Sequence, residues 1–187
     1  MKPCDATNTR QRILNAVGAV VHRVGFARAT LDEIIREAEV SKGGFLYHFP
    51  TKTDCFAALI DQIYDTILRD ALAKAAEMPE APGRMLKAYI AATLEWQDPA
   101  RSQNVVGIVE TPKVKKRIVE HRARHDILIS DKRIPEIIKR ATLLICSGLW
   151  AISQLSEDSP YKQSSNVDEL RNMMFKMIDE SVLPERD

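Results

Sequence analysis

Apolar residues recur at three- and four-residue intervals along most of the chain, the period of helices with one buried face. Ile13, Leu14, Val17, Val20, Val21 and Val24 predict a first helix from about Thr9 to Val24, with Gly25 placed to end it. Residues 1–8 read as a mobile arm. Thr30 with Glu33 forms a capping-box pattern, and Leu31, Ile34, Ile35 and Ala38 then share a face. Ser41 caps a second short helix. Pro50 ends it, because proline has no amide hydrogen and biases Phe49 away from helical angles. Thr51 with Asp54 opens a long helix to about Glu77, carrying Phe56, Leu59, Ile60, Ile63, Ile67, Leu68 and Leu72.

Met78–Gly83 interrupts the pattern. A helix over Arg84–Trp96 follows, burying Met85, Leu86, Tyr89, Ile90, Thr93 and Leu94. Asp98-Pro99 starts a short helix to about Val109, and Thr111-Pro112 opens another to about Ile129. Pro135 suits the first turn of the next, which is apolar nearly all round from Ala141 onward and so needs cover on most faces. Asn166 with Glu169 starts the last helix, striped by Leu170, Met173, Met174, Met177 and Ile178. The fold class predicted is all-α: an N-terminal three-helix domain over residues 1–50, then a helical domain over 51–187.

Composition adds bounds. The 187 residues are 45% hydrophobic and 28% charged, enough apolar material for a core. A net charge of +1 excludes a strongly basic nucleic-acid coat but allows a local basic face. With no run of eighteen apolar residues, no membrane span is expected. The polar start MKPCDATNTR is unlike a signal peptide. Cys4, Cys55 and Cys146 are scattered and odd in number, as in a cytoplasmic protein with reduced thiols.

Candidate chemistry concentrates in Thr30–Lys52. A short helix, a tight turn and a second helix make a helix-turn-helix. Gly43 and Gly44 cost the second helix roughly 1 kcal/mol each against alanine, so another factor favours them. Absent side chains let the backbone approach a surface such as a DNA groove. Lys42 supplies charge, and Tyr47, His48 and Lys52 supply donors for phosphate oxygens. Phe45 and Phe49 can anchor the helix. On spacing alone, a helix pair inside an ordinary bundle is equally open.

Thr30, Ile34, Ala38, Val40, Ser41, Lys42, Gly43, Phe45, His48, Phe49 and Lys52 resemble the pattern of the tetracycline-repressor (TetR) family of bacterial transcription regulators. The resemblance covers residues ~9–60. It implies DNA contacts from Thr30, Ser41, Lys42, Gly43, Gly44, Phe45, Tyr47, His48 and Lys52. Two departures stand out. Glu39 replaces the turn glycine, where a left-handed backbone is needed at about 1 kcal/mol for other residues. Leu46 replaces an aromatic, with Tyr47 beside it.

The resemblance further implies a homodimer on a near-palindromic double-stranded operator, a small-molecule effector, and a repressor that releases DNA when the effector binds. No enzyme activity, cofactor or metal is expected. Tyr89, Thr93, Trp96 and Trp150 combine apolar area with a polar handle and are the pocket candidates, although each also suits plain core. Leu144, Gly148, Ile152, Leu170, Met174 and Met177 are the dimer-interface candidates. Ten cations between Lys113 and Arg140 are interleaved with acids and read as a solvated face rather than a second nucleic-acid site. His121 and His125 share a helix face that reads as exposed and polar rather than metal-binding. The alternatives are a helical-bundle small-molecule-binding protein or enzyme with impaired DNA binding, and a helix pair that binds protein.

Overall fold

The computed structural model describes residues 3–25, 28–95, 111–153 and 164–184. These residues form eight helices: α1 (Pro3–Val24), α2 (Leu31–Glu37), α3 (Lys42–His48), α4 (Lys52–Glu77), α5 (Arg84–Glu95), α6 (Pro112–Leu128), α7 (Glu136–Ser153) and α8 (Ser164–Glu180). The fold is all-α. The described residues divide into two compact units. The first holds those up to Ile63 and the start of α6 up to His121; the second holds those from Tyr64 through α5 and from Arg122 onward.

In the first unit α1 packs on α2, and α2 on α3. Ile13, Leu14, Val17, Val20 and Val21 of α1 are buried with Ile34, Phe45, Phe49, Cys55, Phe56, Leu59 and Ile60. α1 begins six residues earlier than its apolar period suggests. Residues 3–8 are helical rather than an arm, with Pro3 at the first helical position, where its missing amide hydrogen costs nothing. Two reciprocal caps start the following helices. Glu33 N donates to Thr30 Oγ1 at 3.2 Å while Thr30 N donates to the Glu33 carboxylate at 2.9 Å. Thr51 and Asp54 repeat the arrangement at 3.0 and 3.1 Å. Asp54 also pairs with Lys113 of α6, and this ammonium first, then Thr51, holds its carboxyl below the ordinary range.

In the second unit α5 packs against α7 and α8, and α7 against α8. Leu86, Ile90, Leu94, Ile134, Cys146, Leu149, Met174 and Ile178 form its core. Its connections meet at Asp131, whose carboxylate accepts from Gly83 N at 2.8 Å and Arg133 N at 2.9 Å. Burial pushes the thiols of Cys55 and Cys146 up to about 12, so both are neutral at ordinary pH.

Several expectations change here. Met174 is 0% exposed within one chain, so it is core and has no surface left to offer an interface. The α8 stripe divides: Met174 and Ile178 point in, Met173 is 43% exposed, and Leu170 and Met177 are half-buried. His121 and His125 are buried, not on an exposed face. His121 Nε2 lies 2.8 Å from Asp61 Oδ1, and His125 Nδ1 lies 3.0 Å from Tyr89 Oη. Neither joins a metal-binding group, and no cluster of three His, Cys, Asp or Glu suited to a metal occurs among the described residues. Among the described residues, half of the ten cations of the Lys113–Arg140 run are seen in ion pairs: Lys113 with Asp54, Arg117 with Asp61 and Glu120, Lys116 with Glu120, Lys139 with Asp126 and Glu136, and Arg140 with Glu136. The helix expected after Asp98 and the residue Trp96 lie outside the described residues, as do the side chains of Trp150 and Ile152.

Candidate nucleic-acid interface

α3 is a seven-residue helix with two different faces. Its inner face is Phe45, 0% exposed, whose ring lies 5.8 Å from that of Phe49. Arg10 of α1 stands over the Phe49 ring at 5.3 Å. The outer face carries Lys42, Gly43, Leu46 and Tyr47, with Tyr47 74% exposed. Ser41 caps the helix by accepting from Gly44 N at 3.0 Å. Val40, Ser41, Gly44, Tyr47 and His48 line a groove with Thr9 of α1. Thr9 sits ahead of the apolar period of α1 and carries no signal in the sequence.

The glycines differ. A Cβ at Gly43 would meet nothing within 4 Å, whereas one at Gly44 would lie 3.2 Å from Ser41 Oγ. The fold itself therefore has no steric need for glycine at position 43. The helical penalty there is unexplained by anything inside the chain.

The turn between α2 and α3 is a Schellman motif. Val40 N donates to Ile35 O at 3.2 Å and Glu39 N to Arg36 O at 3.2 Å. Glu39 occupies the left-handed position with φ 51°. Arg12 supplies a partial remedy from α1: its Nη2 donates to Ala38 O at 2.7 Å and Glu39 O at 3.1 Å. A guanidinium on the last carbonyls of α2 also complements the helix dipole. Glu39→Gly is expected to raise the unfolding free energy by about 1 kcal/mol. The Arg12–Glu39 side-chain pair it removes is exposed and 3.7 Å long, worth little. The urea midpoint checks this; an unchanged or lowered midpoint would mean Arg12 already cancels the strain.

The remaining predicted contacts fall into place unequally. Phe45 is too deeply buried to reach a ligand, and its role is to hold α3. Thr30 donates its hydroxyl to the Glu33 carboxylate at 2.7 Å and works as a cap. Those Thr30 bonds keep Glu33 below the ordinary carboxylate range. Lys52 Nζ donates to Ala29 O at 2.9 Å and lies over the Phe56 ring, so its ammonium ties α4 to the loop before α2. Lys42, Gly43, Tyr47 and the rim residues Ser41, Gly44 and His48 are what the structure brings together on one surface.

Residues 13–59 match the family described as bacterial regulatory proteins, tetR family. They form a TetR-family domain. The regulator TtgR of Pseudomonas putida is 36% identical over 73 residues, covering 39% of this chain and 34% of TtgR. The A-factor receptor protein of Streptomyces griseus is 33% identical over 66 residues, 35% of this chain and 24% of that protein. The chain thus matches about a third of the length of such curated relatives. Solved structures extend the likeness in fold. The multidrug binding protein EbrR complexed with imidazole covers 94% of this chain and 96% of its own, with a TM-score of 0.65 at 23% identity. A transcriptional regulator from Rhodococcus sp. Rha1 covers 94% and 99%, with a TM-score of 0.68 at 21% identity. Beyond the TetR-family domain, these similarities are of architecture.

Proposed function

We propose that this chain is a homodimeric transcription regulator, a repressor that binds a near-palindromic DNA operator and releases it on binding a small molecule. One observation carries the reading: a short helix, pinned by buried Phe45, that presents Lys42, Gly43 and Tyr47 outward within a TetR-family domain. Lys42 and the Gly43 backbone approach base edges in the major groove. Ser41, Tyr47 and His48 hold phosphates and set the register. The protein acts by binding and not by catalysis, in the cytoplasm. No described helix is long and apolar enough to cross a membrane. Lys42→Ala is expected to weaken operator binding by about 1–3 kcal/mol and to relax preference at one position of each half-site. A uniform loss on all duplexes would instead make Lys42 a phosphate contact.

Residues 51–187 carry the effector site and the dimer contacts. The effector site is supported by fold likeness to EbrR, a multidrug binding protein whose structures also include malachite green and ethidium. Tyr89 and Thr93 are its proposed lining, with Trp96 and Trp150. Burial raises the Tyr89 phenol well above its usual range, so it meets His125 as a neutral hydroxyl. Thr93 Oγ1 donates to Tyr89 O at 2.8 Å. Titrating a bound operator with planar cationic dyes tests this site; tight dye binding without loss of DNA affinity would count against effector control.

Dimerisation through α7 and α8 is supported by apolar surface that one chain leaves uncovered. Leu144 is 73% exposed, Met173 is 43% exposed, and Leu170 and Met177 are half-buried. A Cβ at Gly148 would meet nothing within 4 Å in the single chain. Gly148→Leu should therefore leave the protomer folded while overpacking the interface. Sedimentation is expected to show a folded monomer; a folded dimer would move the interface elsewhere.

A further inference from the structure

Lys113, Arg117 and His121 stand four residues apart on α6 and meet α4 within the first unit. Lys113 pairs with Asp54. Arg117 Nη2 lies 3.5 Å from Asp61 Oδ2, and His121 Nε2 lies 2.8 Å from Asp61 Oδ1. A carboxylate can only accept, so Nε2–H is the donor. Both oxygens of Asp61 are thus engaged by residues one turn apart on a single helix. The apolar share of this seam is small. Val114 is fully buried and Ile118 half-buried. His121, 1% exposed, then occupies the place where the helical period calls for an aliphatic residue.

Stability does not explain that choice. Well-packed apolar residues commonly replace buried polar pairs at no loss or with a gain. What a buried polar pair can add is register. An apolar stripe tolerates small slips and rotations, but a carboxylate hydrogen-bonded by His121 at one oxygen and flanked by Arg117 at the other favours one alignment. Residues 112–121 of α6 belong to the first unit, so their alignment on α4 is set inside the DNA-reading head itself. A slip by one residue would turn the face that α6 presents to α4 by about 100°.

We propose that Asp61, His121 and Arg117 form a register lock, and that Asp61 and His121 are positioning residues for operator recognition. The proposal rests on the DNA-binding reading above. Two heads must meet two half-sites at a fixed spacing, so an alignment error in each head lowers specific affinity without touching the contact residues.

The test uses full-length His121→Leu, His121→Gln and Asp61→Asn, measured on a selected operator and on random duplex. Glutamine keeps an N–H donor for Asp61; leucine keeps volume and removes it. His121→Leu should lower the urea midpoint, because Asp61 loses its 2.8 Å partner, and should lower operator affinity by about tenfold, more than the fraction unfolded accounts for. Asp61→Asn should lower operator affinity similarly, and His121→Gln should stay near wild type. Random-duplex binding at low salt should be unchanged in all three, because phosphate contacts remain. Leucine and asparagine variants that bind operator like wild type, or lose affinity only in proportion to unfolding, would overturn the lock alone. A wild-type chain that binds no duplex would overturn the DNA-binding reading and the lock with it.

Discussion

Replacing Gly43 by alanine is expected to stabilise the protein and to weaken its operator binding in the same variant. The stabilisation is the helix propensity of alanine over glycine, about 1 kcal/mol in a helix interior and less at Gly43 in the first turn of α3. Nothing inside the chain opposes it, since the new Cβ has no neighbour within 4 Å. The loss arises outside the chain. Gly43 is exposed beside Lys42, and a methyl group there holds the α3 backbone away from any surface it must touch. Forcing a methyl into a well-packed contact costs about 1–3 kcal/mol. Urea unfolding and fluorescence anisotropy on one preparation give both numbers. A more stable variant with unchanged affinity would mean that the start of α3 meets no groove, and the interface would have to be sought elsewhere. Opposite signs cannot come from misfolding, which lowers both.

The largest loss of stability is expected in the second unit, from Gly83→Ala. Gly83 has φ 72°, and its Cβ would stand 2.5 Å from Ile178 Cγ2 and 3.2 Å from Ile134 Cδ1. The left-handed backbone costs about 1–2 kcal/mol for an L side chain. Overpacking against two buried isoleucines adds about 1–3 kcal/mol. The backbone cannot retreat freely, because Gly83 N is held by Asp131 Oδ2 at 2.8 Å. A combined loss of about 2–5 kcal/mol is a large part of a domain's stability. Gly25→Ala is the control. It shares the left-handed backbone at φ 76° but has nothing within 4 Å of the added Cβ, so only the backbone cost remains. Ile178→Leu in the Gly83→Ala background, which removes the Cγ2 branch and keeps the volume, should return part of the loss. Equal destabilisation by Gly83→Ala and Gly25→Ala would show that the isoleucines yield and that crowding contributes nothing.

What is legible in the sequence is local. The capping pairs Thr30–Glu33 and Thr51–Asp54 are three residues apart and form as spaced. The bounds of α4, from Lys52 to Glu77, follow from Thr51 and the break at Met78. The left-handed turn at Glu39 is readable through the resemblance, which puts a glycine at that position. What is not legible depends on partners far along the chain. Arg12 meets Ala38 O, 26 residues away, so the support for the Glu39 turn cannot be seen in the turn. Lys52 donates to Ala29 O, 23 residues away, a bond that no local pattern announces. His121 and His125 read as solvated because their helix is rich in charge, yet Asp61 and Tyr89 give each a buried partner.

The apolar helices resist reading for a different reason. From Ala141 onward α7 is apolar nearly all round, so residue type there does not say which side faces the core. Cys146 and Leu149 go in while Leu144 and Ile137 stay out. The five-residue stripe of α8 is wider than the face that α5 and α7 cover, which is why the pattern points Met174 to an interface although it lies in the core. For the candidate site, residue types on α3 are readable from the pattern. Which of them face outward requires the packing of Phe45, and the part played by Thr9 requires the placement of α1.

The most direct test of the central claim is selection of bound sites from a random duplex pool by the purified full-length protein, followed by sequencing. The account predicts a near-palindromic consensus whose half-sites lie about one helical turn apart. Its enrichment should fall in Lys42→Ala and Gly43→Ala. A folded, dimeric protein that enriches no sequence would contradict the claim that α3 reads DNA.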